Sequence, residues 1–288
     1  MPTVPTARDV YFSRDGVRLH GLNWGGRQDG VSVIMLHGVG GNAWTWDALA
    51  SRLRSSLGDG YHLVGLDQRG SGDSDKPASG YAPEEFARDV LAVQDALGGQ
   101  PMVLVGHSRG GWLAAFIAGH WPERVRRLVL VDPARLSFES RQDADDFYGP
   151  VKALLGPFPS REAALAAARA RDPNAQWTAA RERTFLFGLQ EQPDGSLTGK
   201  TPPWVIDQLR SVREAEDRVG PQLARAQMPT LLLVASTSPP RRLNQKLAYK
   251  ERLPHAQLHL LDGTHNLQND LPDQVAALIT EFLRGPSA

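Results

Sequence analysis

Apolar residues along the chain occur in short runs separated by stretches where they recur every three or four positions. The runs VRLHGLNW, VSVIMLH, YHLVGLD, PMVLVGH, VRRLVLVD, PTLLLVA and AQLHLLD have the length and β-branched content of strands. Between them, AWTWDALASRLRSS, APEEFARDVLAVQDAL, the stretch after Ser108 to Gly119, Leu243 to Arg252 and LPDQVAALITEFL carry helical spacing. In the second of these, Pro83 suits the first helical turn, and Glu84 and Glu85 favour its positive end. Strands apolar along their whole length suit burial on both faces, and their alternation with helices predicts right-handed βαβ crossovers in a mostly parallel sheet.

The alternation breaks once, over residues 134–227. This stretch holds the alanine-rich REAALAAARARD, read as a helix, and QPDGSLTGKTPP, read as an exposed loop or hairpin. It is expected to be a helical cap inserted into a core made of residues 1–133 and 228–288. It would lie over the strand ends, the edge at which open α/β sheets bind ligands.

Bulk composition narrows the function classes. The chain has 288 residues, 41% hydrophobic and 22% charged, enough for a sizeable core. Lys+Arg and Asp+Glu both number 32, so the charge balance points to no nucleic-acid or acidic-membrane partner. With no cysteine, the sequence offers no disulfide, thiolate nucleophile or Cys-bound metal, which fits a reducing cytoplasm. MPTVPTARDVYF lacks a basic segment followed by an apolar one, so no signal peptide is expected, and no apolar run approaches a membrane span.

The chemistry centres on Gly106-His107-Ser108-Arg109-Gly110, a G-x-S-x-G stretch between a predicted strand and a predicted helix. In that context the serine sits on a sharp turn that lifts its Oγ above the sheet. The glycines make room for the turn, and the helix N-terminus directs N–H groups at developing negative charge. Upstream, His37-Gly38-Val39-Gly40-Gly41 ends a strand in a turn that lets the backbone approach a carbonyl.

Together with DQRGSGDSDKP and the GTHN before the last helix, these motifs resemble the α/β-hydrolase fold superfamily over nearly the whole chain. The resemblance implies an eight-stranded, mostly parallel sheet with flanking helices. It implies an oxyanion hole from the backbone N–H groups of Val39 and Arg109, and structural roles for His37, Asp67, Arg69, Asp73 and Asp75. Among eight histidines, His265 alone sits in a loop just past the last strand, and it is the expected general base for Ser108; His107 is expected to turn its ring away.

The acid is the irregular member. Relatives usually carry it after the strand PTLLLVA, yet no Asp or Glu occurs from Thr230 to Lys250. Asp262 ends the last strand only three residues before His265, and Asp270 and Asp273 read as charges opening the final helix. Asp132 ends VRRLVLVD, beside the nucleophile strand. Some members of the superfamily, zearalenone-type lactonases and cofactor-independent ring-cleaving dioxygenases among them, carry their acid at this earlier strand, and Asp132 is the expected orienting carboxylate.

The expected activity is hydrolysis of a carboxylic ester or lactone through an acyl-enzyme, with no cofactor and no metal. Alternatives are a cofactor-independent dioxygenase and a receptor-like, non-hydrolytic protein; a dehalogenase or epoxide hydrolase would need Asp at position 108. Gly38, Trp44, Trp112, Phe138, Trp177, Phe185 and Trp204 are the expected substrate-binding residues, and these aromatics suggest an apolar small-molecule substrate.

Overall fold

A computed structural model describes residues 7–138, 140–213 and 219–285. Residues 1–6, half of the stretch read for a leader, lie outside the described residues. The strands are β1 (Arg8–Arg14), β2 (Val17–Asn23), β3 (Val31–Leu36), β4 (Tyr61–Leu66), β5 (Met102–His107), β6 (Val125–Val131), β7 (Leu189–Glu191), β8 (Leu197–Gly199), β9 (Thr230–Ala235) and β10 (Gln257–Leu261). The α-helices are α1 (Asp47–Leu57), α2 (Pro83–Ala96), α3 (Arg109–His120), α4 (Arg141–Ala153), α5 (Arg161–Arg171), α6 (Ala179–Phe187), α7 (Pro203–Arg213), α8 (Gly220–Leu223), α9 (Pro240–Arg252), α10 (Leu267–Asp270) and α11 (Pro272–Arg284).

Eight strands form one sheet in the order β1-β2-β4-β3-β5-β6-β9-β10. Only β1 and β2 run antiparallel to their neighbours. Side chains alternate across the sheet, so Ile34, Leu36 and Leu104 join one core layer while Val33, Met35, Val103 and Val105 join the other. The first layer packs against α2, α3 and α9, and the second against α1 and α11. Helix α3 is buried all round except at its last residue, which is why its sequence is apolar on every face.

β1 was not among the strands expected from hydrophobic runs. It is an edge strand with four of its seven residues exposed, joined to β2 through Asp15 and Gly16, both at positive φ. That two-residue Asp-Gly turn is the local hairpin signal in the sequence. QPDGSLTGKTPP does form a hairpin, β7–β8.

The segment between β6 and β9 carries α4 to α8 and the β7–β8 hairpin. No helix among the described residues is long and apolar enough to cross a membrane.

Candidate active site

The parallel topology brings the carboxyl ends of β5, β6 and β10 to one sheet edge, which places Ser108, Asp132 and the His265 loop together. Ser108 holds φ 52° and ψ −120°, a conformation that L residues rarely adopt and that the surrounding packing must enforce. The glycines around it are sterically required. A Cβ on Gly110 would lie 2.1 Å from the Leu36 carbonyl oxygen, and one on Gly106 would lie 2.3 Å from that of Gly110.

The three side chains form a hydrogen-bonded series. Ser108 Oγ lies 2.9 Å from His265 Nε2, and His265 Nδ1 lies 2.5 Å from Asp132 Oδ2. With Nδ1 donating to the carboxylate, Nε2 is left to accept the serine proton. Asp132 is wholly buried and also left-handed, at φ 42°. Burial alone would raise its pKa, but the bonds to His265 and the charge of Lys246 outweigh this and hold it below the usual carboxylate value.

Lys246 is the residue that sequence reasoning missed. Its Nζ donates to Asp132 Oδ2 at 2.5 Å and to Ser238 Oγ at 2.7 Å. One carboxylate oxygen therefore serves both the imidazole and a buried ammonium, while Oδ1 accepts from the Ala235 N–H at 2.9 Å. Burial lowers the Lys246 pKa against the pull of Asp132. In a helix rich in basic residues nothing in composition sets Lys246 apart. The available signal was position: it lies three residues from both Leu243 and Tyr249, on the packed side of α9.

His107 differs from its expected orientation. Its ring does not turn away: it lines the same cavity as Ser108, donates from Nε2 to the His265 carbonyl at 2.8 Å, and sits 4.8 Å from the His265 ring. Burial, reinforced by the neighbouring His265, drives its pKa down to about 3, so it acts as a neutral donor holding the His265 loop. The Asp270 reading also needs correction. Asp270 ends the short helix α10 and accepts from the Thr264 N–H at 2.9 Å, bracing the residue before His265. Asp262 is exposed, and Asp273 pairs with Arg52.

On the other side of the serine, His37 Nδ1 donates to the Gly38 carbonyl at 2.7 Å and Nε2 accepts from the Gln68 N–H at 3.2 Å. Burial holds this imidazole neutral. The Gly41 N–H also donates to Gly38 O, fixing the turn that carries Val39. Gly38 itself is tight against Ser108: a Cβ there would lie 3.1 Å from Ser108 Cβ. Arg109 opens α3, where backbone N–H groups have no partner within the helix. Its side chain points away, onto Phe86 and the Gln68 amide oxygen.

The rim loop is tied internally. Asp67 accepts from the Ala43 and Asp73 N–H groups and from His20, Arg69 forks onto Asp89, Asp73 pairs with Lys200, and Asp75 accepts from the Arg18 N–H. His20, Asp67 and Asp73 are close enough in space to suggest a metal site, but His20 and Asp67 already direct their ligand atoms at each other and at backbone donors. That donor set suits a brace.

A cavity of about 490 Å³ opens over Ser108 and His265, with Gly38, Val39 and Phe185 in its wall. A second, of about 200 Å³, lies beside it and includes Trp177 and again Phe185. The other expected pocket aromatics lie elsewhere. Trp112 is buried in the core and donates to the Leu136 carbonyl, because α3 packs on every side. Trp44 stacks on Phe187, and Trp204 packs edge-on against Tyr81 at the surface. Phe138 packs on Phe147 and Tyr148, and of these Phe147 reaches the cavity.

A family model described as alpha/beta hydrolase fold matches residues 31–270. The chain belongs to the alpha/beta hydrolase fold family. Among curated members of that family, it is 37% identical over 118 residues to a non-heme chloroperoxidase of Streptomyces lividans, 41% of each chain. It is 33% identical over 135 residues to a bifunctional esterase/perhydrolase of Acinetobacter calcoaceticus, covering 46% of this chain and 48% of that one. The chain thus spans less than half the length of these relatives. The crystal structure of E-2-(acetamidomethylene)succinate hydrolase overlays this alpha/beta hydrolase with a TM-score of 0.81 at 22% identity, over 97% of this chain and all of that one, a likeness of fold.

Proposed function

We propose that the chain is a serine hydrolase that cleaves a carboxylic ester or lactone through an acyl-enzyme. The observation that carries this reading is the unbroken series Ser108–His265–Asp132, with Ser108 on a strained strand-to-helix turn at the floor of a cavity. The family relationship and the esterase named among the relatives agree with it.

In this reading His265 Nε2 takes the Ser108 proton as Oγ attacks the substrate carbonyl. The resulting oxyanion is held by the N–H groups of Val39 and Arg109. His265 then delivers the proton to the leaving alkoxide, leaving an ester on Ser108. Water, deprotonated by the same nitrogen, attacks that ester, and the acid leaves as Ser108 regains its proton. Asp132 holds the imidazole tautomer and stabilises its protonated form. Residues 134–227 serve as the specificity cap, through Phe147, Phe185 and the α4–α5 connection.

The test pairs p-nitrophenyl esters and aromatic lactones with a serine-reactive phosphonate. Intact mass should show one adduct on the wild type and none on Ser108→Ala. Turnover with no labelling at Ser108 would overturn the acyl-enzyme reading.

A further inference from the structure

The cavity over Ser108 is unusually basic for an ester site. Its wall includes Arg135, Arg171, Arg242 and Lys246 against a single carboxylate, that of Asp146. Two of the four cations are already matched: Lys246 by Asp132, and Arg135 by Asp143. Arg171 and Arg242 have no ion-pair partner among the described residues, although Asp172 is next in the chain to Arg171. That Asp172 carboxylate is held by Arg181 at 2.6 Å. Asp146 accepts a hydrogen bond from Gln142.

The two arginines reach the cavity from different parts of the fold. Arg171 ends α5, in the segment between β6 and β9, while Arg242 lies in the first turn of α9, in the sheet-bearing core. Desolvation lowers the Arg171 pKa, Asp172 pulls it back, and the charge of Arg242 lowers it again, so the two guanidinium groups are within electrostatic reach. Both side chains are exposed at the cavity mouth, where water screens their repulsion, and an anion between them would be attracted by both. Arg242 is also four residues before Lys246 on the same helix face, with Cβ atoms about 5–6 Å apart. The ammonium of Lys246 touches the carboxylate behind His265, so the Arg242 side chain enters the cavity about one helical turn from the triad.

We propose that Arg171 and Arg242 form an anion subsite, and that the substrate is an ester or lactone bearing a carboxylate a few bonds from the scissile carbonyl. This rests on the serine-hydrolase reading and adds the substrate class to it. Nearby carboxylates limit the charge the site can accept: Asp146 offsets one guanidinium, and Asp172 and Asp270, which share Arg181, offset much of the other, so a singly charged group is favoured over a doubly charged one. Planar guanidinium groups suit a carboxylate, which can accept two parallel N–H bonds. The aromatic content of the sequence suggested an apolar substrate, but Trp44, Trp112 and Trp204 lie outside this cavity.

The experiment compares p-nitrophenyl hemiesters of glutarate and adipate with neutral p-nitrophenyl esters of the same chain length. The wild type should favour the carboxylate-bearing esters by about ten- to a hundredfold in kcat/KM, as expected for a hydrogen-bonded charge contact. Arg242→Gln and Arg171→Gln should each shrink that ratio, and Arg242→Lys should restore part of it. Added salt should weaken the preference without reversing it. Glutarate should inhibit competitively at concentrations where inorganic phosphate does not; stronger inhibition by phosphate would overturn the choice of a monoanionic carboxylate. A wild-type ratio at or below one overturns the subsite, and because it needs no variant, misfolding of a variant cannot obscure it. The two readings fail separately. Phosphonate labelling of Ser108 with no carboxylate preference leaves the hydrolase and removes the subsite. Absence of turnover on every ester, with glutarate raising the melting temperature of Ser108→Ala but not of the Arg171→Gln/Arg242→Gln protein, keeps the subsite and removes the hydrolase.

Discussion

Exchange of Asp132 for Asn tests the displaced acid, and the structure shows that the single substitution has two effects. Asp132 Oδ2 accepts from His265 Nδ1 and from Lys246 Nζ, both at 2.5 Å, while Oδ1 accepts from the Ala235 N–H. If Asn keeps its oxygen on Ala235, its amide NH2 faces two donors. The imidazole then favours the tautomer with the proton on Nε2, which cannot accept from Ser108. In serine proteases the same exchange lowers kcat about 10⁴-fold, and here a loss of about 10²–10⁴ is expected, or roughly 3–5.5 kcal/mol of transition-state stabilisation. The second effect is on stability. Lys246 loses its buried counter-charge, for which about 3–5 kcal/mol is typical, less whatever it recovers by giving up a proton. Asp132→Asn should therefore unfold at lower urea as well as turn over slowly, and the single variant alone could be misread as a folding defect. Asp132→Asn/Lys246→Met separates the effects: Met fills much of the lysine's volume without charge, so stability should recover while kcat does not. The assay is p-nitrophenyl ester turnover at saturating substrate, with circular dichroism and urea melts on each protein. Asp262→Asn, whose carboxylate is exposed, should stay within about tenfold of wild type, or 1.4 kcal/mol. A folded double variant with near-wild-type kcat would refute the assignment of Asp132.

His107 has a folded pKa of about 3, below its ordinary 6.5, so the unfolded chain takes up that proton first; the associated stability is full above pH 6.5 and lost as pH falls towards 3. His107→Gln should remove about 3 kcal/mol of the loss between pH 7 and pH 4; urea midpoints that fall equally in both proteins would contradict this. Phe185→Ala should raise KM for bulky esters about tenfold, because Phe185 walls both cavities, whereas Trp204→Ala should leave chain-length preference unchanged. Gly110→Ala should abolish soluble expression, since its Cβ would lie 2.1 Å from Leu36 O.

The sequence features that forecast structure well were those where backbone and chemistry impose the same demand. Gly106 and Gly110 flank Ser108 because a Cβ at either would strike backbone, so the motif is visible as spelling. The pairing of β5, β6 and β9 follows from largely apolar runs, and with it the common edge that gathers Ser108 and Asp132. Contacts set by tertiary packing were hidden. Lys246 has the same letter as a solvated lysine, and only burial of its face of α9 makes it a partner for Asp132. His107 occupies the variable position of its motif, so nothing in the pattern told where its ring would point. The aromatics misled for the opposite reason: Trp112 and Trp44 satisfy packing first, and a large apolar ring reads alike in a core and in a pocket wall.

The loop after β9, where relatives usually carry the acid, offers hydroxyls in its place, and each has a defined partner. Ser236 Oγ donates to the Leu261 carbonyl at 3.0 Å and Thr237 Oγ1 to that of Gly263 at 2.5 Å, both at the root of the His265 loop. Ser238 accepts from Lys246. An ionised carboxylate at position 236 or 237 would face a carbonyl oxygen, acceptor against acceptor, and would loosen the loop it was meant to serve. Strand β9 contributes backbone instead. The Asp132 N–H donates to the Leu233 carbonyl at 2.7 Å, and the Ala235 N–H donates to Asp132 Oδ1, so β9 grips Asp132 by both its main chain and its side chain. That grip stabilises a residue at φ 42°, a conformation that is otherwise costly for a side chain of this size. The carboxylate on β6, the hydroxyls after β9 and the lysine on α9 thus form one arrangement: Lys246 offsets the buried charge of Asp132, and the β9 loop braces the root of the His265 loop through its hydroxyls.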